Sequence, residues 1–240
     1  MSLSTRILPS NYFEFGGVDS RDYNAYIATS NMFDAPQRDY SVITVLGRNG
    51  NLHIDNGRFE TFKGKCRVFI PYDMQTNIVG LRNYLGSAGT AVYREEFMPG
   101  EYRTATFTGA FSVKNSDRVG AYFDLEFDCS PERWLDSGQQ AISITSGDVI
   151  YNPTQFDAKP LIEVVGTGTI TIAGVALTLA TNNSTTYIDC DIQDAYEGSI
   201  NRNGDLTVTS AGFPVLSPGE STVTFSGFTS VNIYPRWWRI

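Results

Sequence analysis

The residues of this 240-residue chain best placed to do chemistry are acidic. Asp124, Glu126 and Asp128 recur at every second position, which puts three carboxylates on one face of a strand. Such a row can hold a divalent cation or provide the acid and base of a glycosidase. Neighbouring carboxylates on that face stand roughly 6.5–7 Å apart, a spacing that glycoside hydrolysis does not forbid. The same alternation, acidic residues and Tyr122 against Val119, Ala121, Phe123, Leu125 and Phe127, is also that of a half-exposed strand, and this is the preferred reading. Asp189, Asp191 and Asp194 suggest calcium, but the spacing lacks the glycine and distal glutamate of an EF-hand loop. Glu95 and Glu96 are adjacent, so on a strand they point to opposite faces and do not form a pair. Trp237 and Trp238 can stack on a sugar, yet on a strand their rings also face opposite sides, so at most one enters a core.

Other chemistry has little to work with. The only histidine, His53, falls in a strand-like segment between two turn signals and reads as a surface or interface residue. Zinc sites and Ser-His-Asp or Cys-His machinery need more than this. Cys66, Cys129 and Cys190 are odd in number, far apart and without a CxxC pair, so they read as reduced, partly buried thiols. No glycine-rich phosphate loop is present, and no cofactor is expected. The formal net charge of -8 and pI near 4.7 argue against nucleic-acid wrapping, which needs clustered basic charge. An acidic chain suits a conduit to which DNA does not stick. No run approaches the ~18–20 apolar residues of a membrane span, so no membrane partner is expected. The first fifteen residues lack the apolar core of a secretory signal.

The elements that must position these residues are mostly strands. Arg38–Phe62 contains alternating Val42, Thr44 and Leu46 against Ile43 and Val45, then Leu52 and Ile54 against His53 and Asp55. Asn49-Gly50 and Asn56-Gly57 predict two tight type I′ hairpin turns, and the stretch is expected to build the first domain's sheet. One helix is predicted after Pro71, with Asp73 as N-cap, Ile78, Leu81 and Leu85 as its apolar stripe and Gly86 at its end. Gly80 weakens it. Short strands flank it at Tyr12–Phe15, Tyr26–Ala28, Lys65–Ile70, Ala91–Arg94, Tyr102–Phe107 and Arg118–Cys129. Residues 136–140 read as a linker between a domain at 1–135 and another at 141–240. The second half holds many short Ser/Thr-rich strands separated by turns, the pattern of a β-sandwich of jelly-roll type.

Several of these segments, in this order, resemble one family. Phe13-x-Phe15-x-Gly17-x-x-Ser20, Pro36-x-Arg38-Asp39, Gly47-Arg48-Asn49-Gly50, a helix followed by paired strands, and the terminal Ile233-x-Pro235-Arg236-Trp237-Trp238 are similar to distal tail proteins of long non-contractile-tailed bacteriophages. The resemblance implies a mainly β chain with one helix: an N-terminal split β-barrel-like α+β domain and a galectin-like or carbohydrate-module-like sandwich. It further implies a hexameric ring at the phage tail tip, part of the virion and assembled in the host cytoplasm. The implied partners are further copies of the chain, the tail tube protein, the tape-measure protein, a tail-tip protein and receptor-binding proteins. DNA would pass through the ring without specific binding. The compact second half shows no long arm for holding receptor-binding proteins, which puts an elaborate baseplate in doubt.

Within that frame Arg48, Asn49, His53, Asn56 and Arg58 are the expected contacts with a neighbouring subunit. The alternative is a carbohydrate-binding protein touching cell-wall polysaccharide, with Tyr151, Phe156, Tyr187 and Tyr196 as its sugar or partner contacts. No catalytic or metal-ligating residue is assigned.

Overall fold

The computed structural model describes residues 11–109, 111–117, 120–180, 184–210 and 212–240. Two compact units result, one running to Arg133 with Ile240 added, the other spanning Trp134–Arg239.

The first unit contains β1 (Phe13–Phe15), β2 (Val18–Asp19), β3 (Tyr26–Ser30), β4 (Arg38–Thr44), β5 (Asn51–Phe59), β6 (Phe62–Ile70), α1 (Met74–Ser87), β7 (Thr90–Glu95), β8 (Glu101–Phe107), β9 (Ser112–Asp117) and β10 (Gly120–Cys129). Its antiparallel sheet runs β2-β1-β7-β8-β10-β6-β3, with β9 also on β10. Strand β10 is the spine. It pairs with β6 from Ala121↔Ile70 to Cys129↔Phe62, with β8 at one end and with β9 at the other. Its period-2 pattern explains this position. Ala121, Phe123, Leu125, Phe127 and Cys129 are buried, and the acidic residues between them face outward. Arg118 and Val119, expected at its start, lie outside the described residues. Phe127 is the centre of the core, with ring centroids 5.3 Å from Phe15, 4.9 Å from Tyr93 and 5.5 Å from Phe107. Ser20 ties the start of the unit together, accepting the Phe13 N–H at 3.1 Å and donating to the Ala25 carbonyl at 2.8 Å.

Helix α1 follows Pro71 and buries Leu81 and Leu85. Asp73 does not cap it through its side chain: its backbone is left-handed, with φ 48°, and no side-chain cap bond forms. Instead its carbonyl accepts the Asn77 N–H at 3.0 Å, and Asn77 Nδ2 donates to the Tyr72 carbonyl at 3.1 Å. The helix ends one residue past Gly86, where the Ala88 N–H reaches the Tyr84 carbonyl at 3.0 Å. Gly80 has a packing reason, since a Cβ there would sit 2.8 Å from the Tyr23 ring.

Arg38–Phe62 behaves differently from the expectation. Strands β4 and β5 pair only with each other and form a separate two-stranded ribbon. The chain reverses through residues 45–50, a longer loop than an Asn-Gly turn, closed by an Arg48 N–H to Val45 carbonyl bond of 3.2 Å. Asn56-Gly57 is no turn at all. Gly57, at φ 75°, forms a bulge in β5, so that residues 56–58 oppose Asp39 alone. Asp55 Oδ1 accepts the Gly57 N–H at 2.8 Å and holds the bulge. The Asn-Gly pair signals positive φ in both places, but the cross-strand register decides between turn and bulge.

From β11 (Arg133–Leu135) the chain enters the second unit. Its strands are β12 (Ile142–Ser143), β13 (Val149–Asn152), β14 (Leu161–Val165), β15 (Gly168–Ile172), β16 (Val175–Leu179), β17 (Thr185–Asp189), β18 (Asp194–Glu197), β19 (Ile200–Asn201), β20 (Leu206–Val208), β21 (Gly219–Ser226), β22 (Ser230–Tyr234) and β23 (Trp238–Arg239). Two antiparallel sheets, β12-β22-β14-β17-β18-β19 and β13-β21-β15-β16-β20, share one core. Ile162, Val164 and Ile188 of the first meet Ile170, Leu177 and Val223 of the second in a two-layer sandwich. Trp237 joins that core, 4% exposed, while Trp238 stacks on Phe156 at 4.4 Å and donates Nε1–H to the Asp157 carbonyl. Residues Asp136–Gln139 form a 3-10 turn, and the Gly138 carbonyl accepts the Arg236 N–H at 2.7 Å.

Candidate interaction surface

The acidic row of β10 is neutralised across the sheet. The register sets Asp124, Glu126 and Asp128 opposite Arg67, Lys65 and Lys63 of β6. Arg67 meets Asp124 at 2.8 Å, Lys65 meets Glu126 at 3.2 Å and Lys63 meets Asp128 at 3.6 Å. This is a solvated ladder of cross-strand charge pairs, with no cleft around it. The three aspartates of the second unit are occupied likewise. Asp189 takes a bidentate contact from Arg236 at 2.7 and 2.8 Å, Asp191 pairs with Lys159 at 2.9 Å, and Asp194 accepts from Asn201 and Asn203. Burial raises the Asp189 carboxyl, but the Arg236 guanidinium and the Asp191 and Ile192 amides more than offset it, leaving it below the usual aspartate value. Among the described residues no group of three or more His, Cys, Asp or Glu is placed to hold a metal ion. The cysteines are free and buried, and burial pushes the Cys129 thiol up to about 11 and Cys190 up to about 12.

One polar cluster was not anticipated. Glu95 and Arg103 are 3% and 2% exposed, and Glu101 and Arg133 are buried beside them. Tyr93 Oη and Ser30 Oγ both donate to Glu95 Oε1, at 2.5 and 2.8 Å, while Oε2 has no hydrogen-bond partner. Arg103 donates to the Pro131 carbonyl at 2.6 Å and lies over the Phe62 ring, with Nε and Nη2 unbonded. Arg133 Nε lies 3.1 Å from Glu101 Oε2. Burial raises the Glu95 carboxyl to about 7, against the pull of the Tyr93, Ser30 and Arg103 groups. Burial also lowers Arg103 to about 10, helped by nearby Arg133. The signal was there in the sequence: Glu101 and Arg103 share the parity of buried Ala105, so alternation places both on the inward face of β8.

The β4–β5 ribbon is the least satisfied surface of the first unit. None of its residues is buried. One face carries Ile43, Leu52 and Ile54, at 43%, 38% and 46% exposed, and Leu46 in the tip loop is 98% exposed. A lone two-stranded ribbon is marginal in water and gains from a covering partner. Its base is held by polar clamps: Arg38 grips Asp55 at 2.8 Å, while Asp39 accepts from Asn56 and Arg58 at 2.9 and 2.6 Å. The Arg38 hydrogen bond, aided by the Gly57 amide, keeps the Asp55 carboxyl below its usual value. So two of the five expected contact residues, Asn56 and Arg58, are committed within the ribbon. His53 sits edge-on to Tyr40 at 6.2 Å. Arg48 and Asn49 lie in the exposed tip loop, and no contact of the Arg48 side chain is recorded among the described residues.

In the sandwich, Tyr187 and Tyr196 are brought together, stacked at 5.7 Å on the outer face of the six-stranded sheet. Their rung continues through Glu163, which accepts from Asn232 at 3.0 Å and Tyr234 at 3.3 Å. The Glu163 charge pushes the Tyr187 phenol up. Tyr151 is on β13 of the other sheet, 64% exposed, and Phe156 is stacked under Trp238. The four expected aromatics therefore do not form one platform.

Neither protein-family sequence models nor curated protein sequences match the chain. Solved structures do. SPP1 Dit (gp 19.1), described as a paradigm of the hub adsorption apparatus in phages infecting Gram-positive hosts, superposes with a TM-score of 0.72 at 11% identity, over 93% of this chain and 97% of that one. A chain of the phage p2 baseplate in its activated conformation with Sr matches with a TM-score of 0.55 at 8% identity, covering 96% and 98%. Another from the Ca form matches with a TM-score of 0.52 at 7% identity, covering 93% and 96%. Over nearly its whole length, then, this chain has the fold of SPP1 Dit and of a phage p2 baseplate component.

Proposed function

We propose that this chain is a structural subunit of a bacteriophage tail, forming a hexameric ring that joins the tail tube to the tip and its receptor-binding apparatus. The observation that carries this is the near end-to-end correspondence with SPP1 Dit, in which both units match in order. The surface chemistry supports it. The acidic row that resembled an active site is a ladder of charge pairs, and the apolar ribbon face calls for a neighbour. The ribbon then serves as a contact between consecutive subunits. The partners of such a ring are the tail tube, tape-measure and tail-tip proteins, and DNA passes it without sticking to an acidic wall. The split-barrel and galectin-like descriptions of the two units belong to this reading. The test is the mass of the purified protein in solution followed by negative-stain imaging. A six-fold ring with a central hole is expected; a stable monomer at micromolar concentration sinks the reading. Within it, Arg48→Glu together with His53→Glu dissociates rings and leaves the monomer folded.

The second reading is polysaccharide binding by the sandwich, favoured by the Tyr187–Tyr196 stack beside Glu163 and Asn232. Half-exposed tyrosines next to hydrogen-bonding groups suit a sugar ring. Titration with host wall polysaccharide tests it, and no signal for the native protein removes it.

A further inference from the structure

We infer that an acidic cleft on the first unit receives the tip of the β4–β5 ribbon from a second copy of this chain; this rests on the ring reading and names its contact. The cleft has a volume of about 290 Å³ and lies along the ends of β1, β7 and β8. Glu14, Glu95, Glu96 and Glu101 line it, and Arg94 is the only cation in its wall. Arg21, over the adjoining Tyr12 ring at 3.7 Å, is committed to Asp19 at 2.6 Å. Acidity alone does not make a site, but Glu95 does more. It is 97% buried, it lines the cleft, and its Oε2 has no hydrogen-bond partner. A buried carboxylate oxygen left open calls for a donor. Met98 and Pro99 add an apolar rim.

The ribbon tip has the complementary chemistry. Arg48 offers a guanidinium with no recorded partner, and Leu46, 98% exposed, offers an apolar side chain two residues away. Leu46 fits against Met98 and Pro99, and Arg48 reaches the carboxylates. The tip and the cleft are different surfaces of one molecule, so their contact is head-to-tail and closes into a ring rather than a two-fold dimer. The contact also explains why an apolar, uncovered ribbon persists: the neighbour covers it.

The test is charge reversal on the full chain, followed by sedimentation and native mass spectrometry. Arg48→Glu and Glu96→Arg are both exposed changes that leave the fold intact by circular dichroism. Each should raise the concentration needed for assembly by at least ~10-fold, because like charges then face one another. The double variant restores assembly. As a second measurement, Leu46→Cys mixed with Pro99→Cys should give disulfide-linked pairs that neither variant gives alone; the native cysteines are buried and stay silent. Rings that form normally from both single variants, or a mixture that gives no specific cross-link, overturn the cleft contact and leave the ring reading standing. A native chain that stays monomeric overturns the ring reading and the cleft contact with it.

Discussion

Replacing Glu95 with Gln isolates the one strongly perturbed acid of the first unit. Glu95 rises to about 7, from 4.5 for an ordinary glutamate, because burial penalises its charge more than Tyr93, Ser30 and Arg103 favour it. At ~1.4 kcal/mol per pH unit, that gap is worth about 3 kcal/mol. In the folded chain the carboxyl keeps its proton up to about pH 7, whereas in the unfolded chain it loses it near the ordinary value. The stability from the protonated form is therefore full in mild acid and is lost as pH rises to about 7, beyond which the loss is complete. Gln keeps an acceptor for Tyr93 Oη and Ser30 Oγ, with no charge to titrate. The native chain should thus lose about 3 kcal/mol relative to Glu95→Gln between pH 4.5 and 7, and the difference should then level off. Urea unfolding at several pH values measures it, with a signal specific to the first unit. Trp134, Trp237 and Trp238 all belong to the second unit, so their emission is the internal control, and amide exchange in β6 and β10 is the reporter. Parallel stability curves for the two proteins would refute the argument.

Other substitutions separate structural from decorative charge. Asp189→Asn strips Arg236 of its bidentate partner in a largely buried site and should cost about 2–4 kcal/mol, read in the tryptophan-monitored unfolding of the second unit. The native pair should also weaken in acid, since a carboxyl held below its usual value loses its contribution only as pH falls through that lower value. Glu126→Gln on the exposed ladder should change stability by less than ~1 kcal/mol and leave any polysaccharide untouched, as checked by denaturation and a reducing-sugar assay. Phe127→Ala, at the centre of the aromatic core, should cost about 3–5 kcal/mol in the first unit by the same urea titration.

Alternation along one strand was legible because burial follows the period of the strand itself. The outward Asp124–Glu126–Asp128 row, the inward Phe123–Leu125–Phe127 row and the single buried tryptophan of Trp237-Trp238 all follow from the chain alone. So did the α1 segment and the strand-rich second half. What lies across the sheet was not legible. That Lys63, Lys65 and Arg67 neutralise the acidic row depends on the β6–β10 register, which joins residues about sixty positions apart. The same holds for Asp189, whose partner Arg236 lies far along the chain. The Asn56-Gly57 pair called for positive φ, which the structure uses for a bulge, since pairing with β4 continues beyond it. The ribbon's independence from the main sheet and the meeting of Glu95, Arg103 and Arg133 are likewise tertiary decisions. Local sequence determines which way a side chain points; only long-range strand pairing, set by collective burial of both faces, determines what it meets.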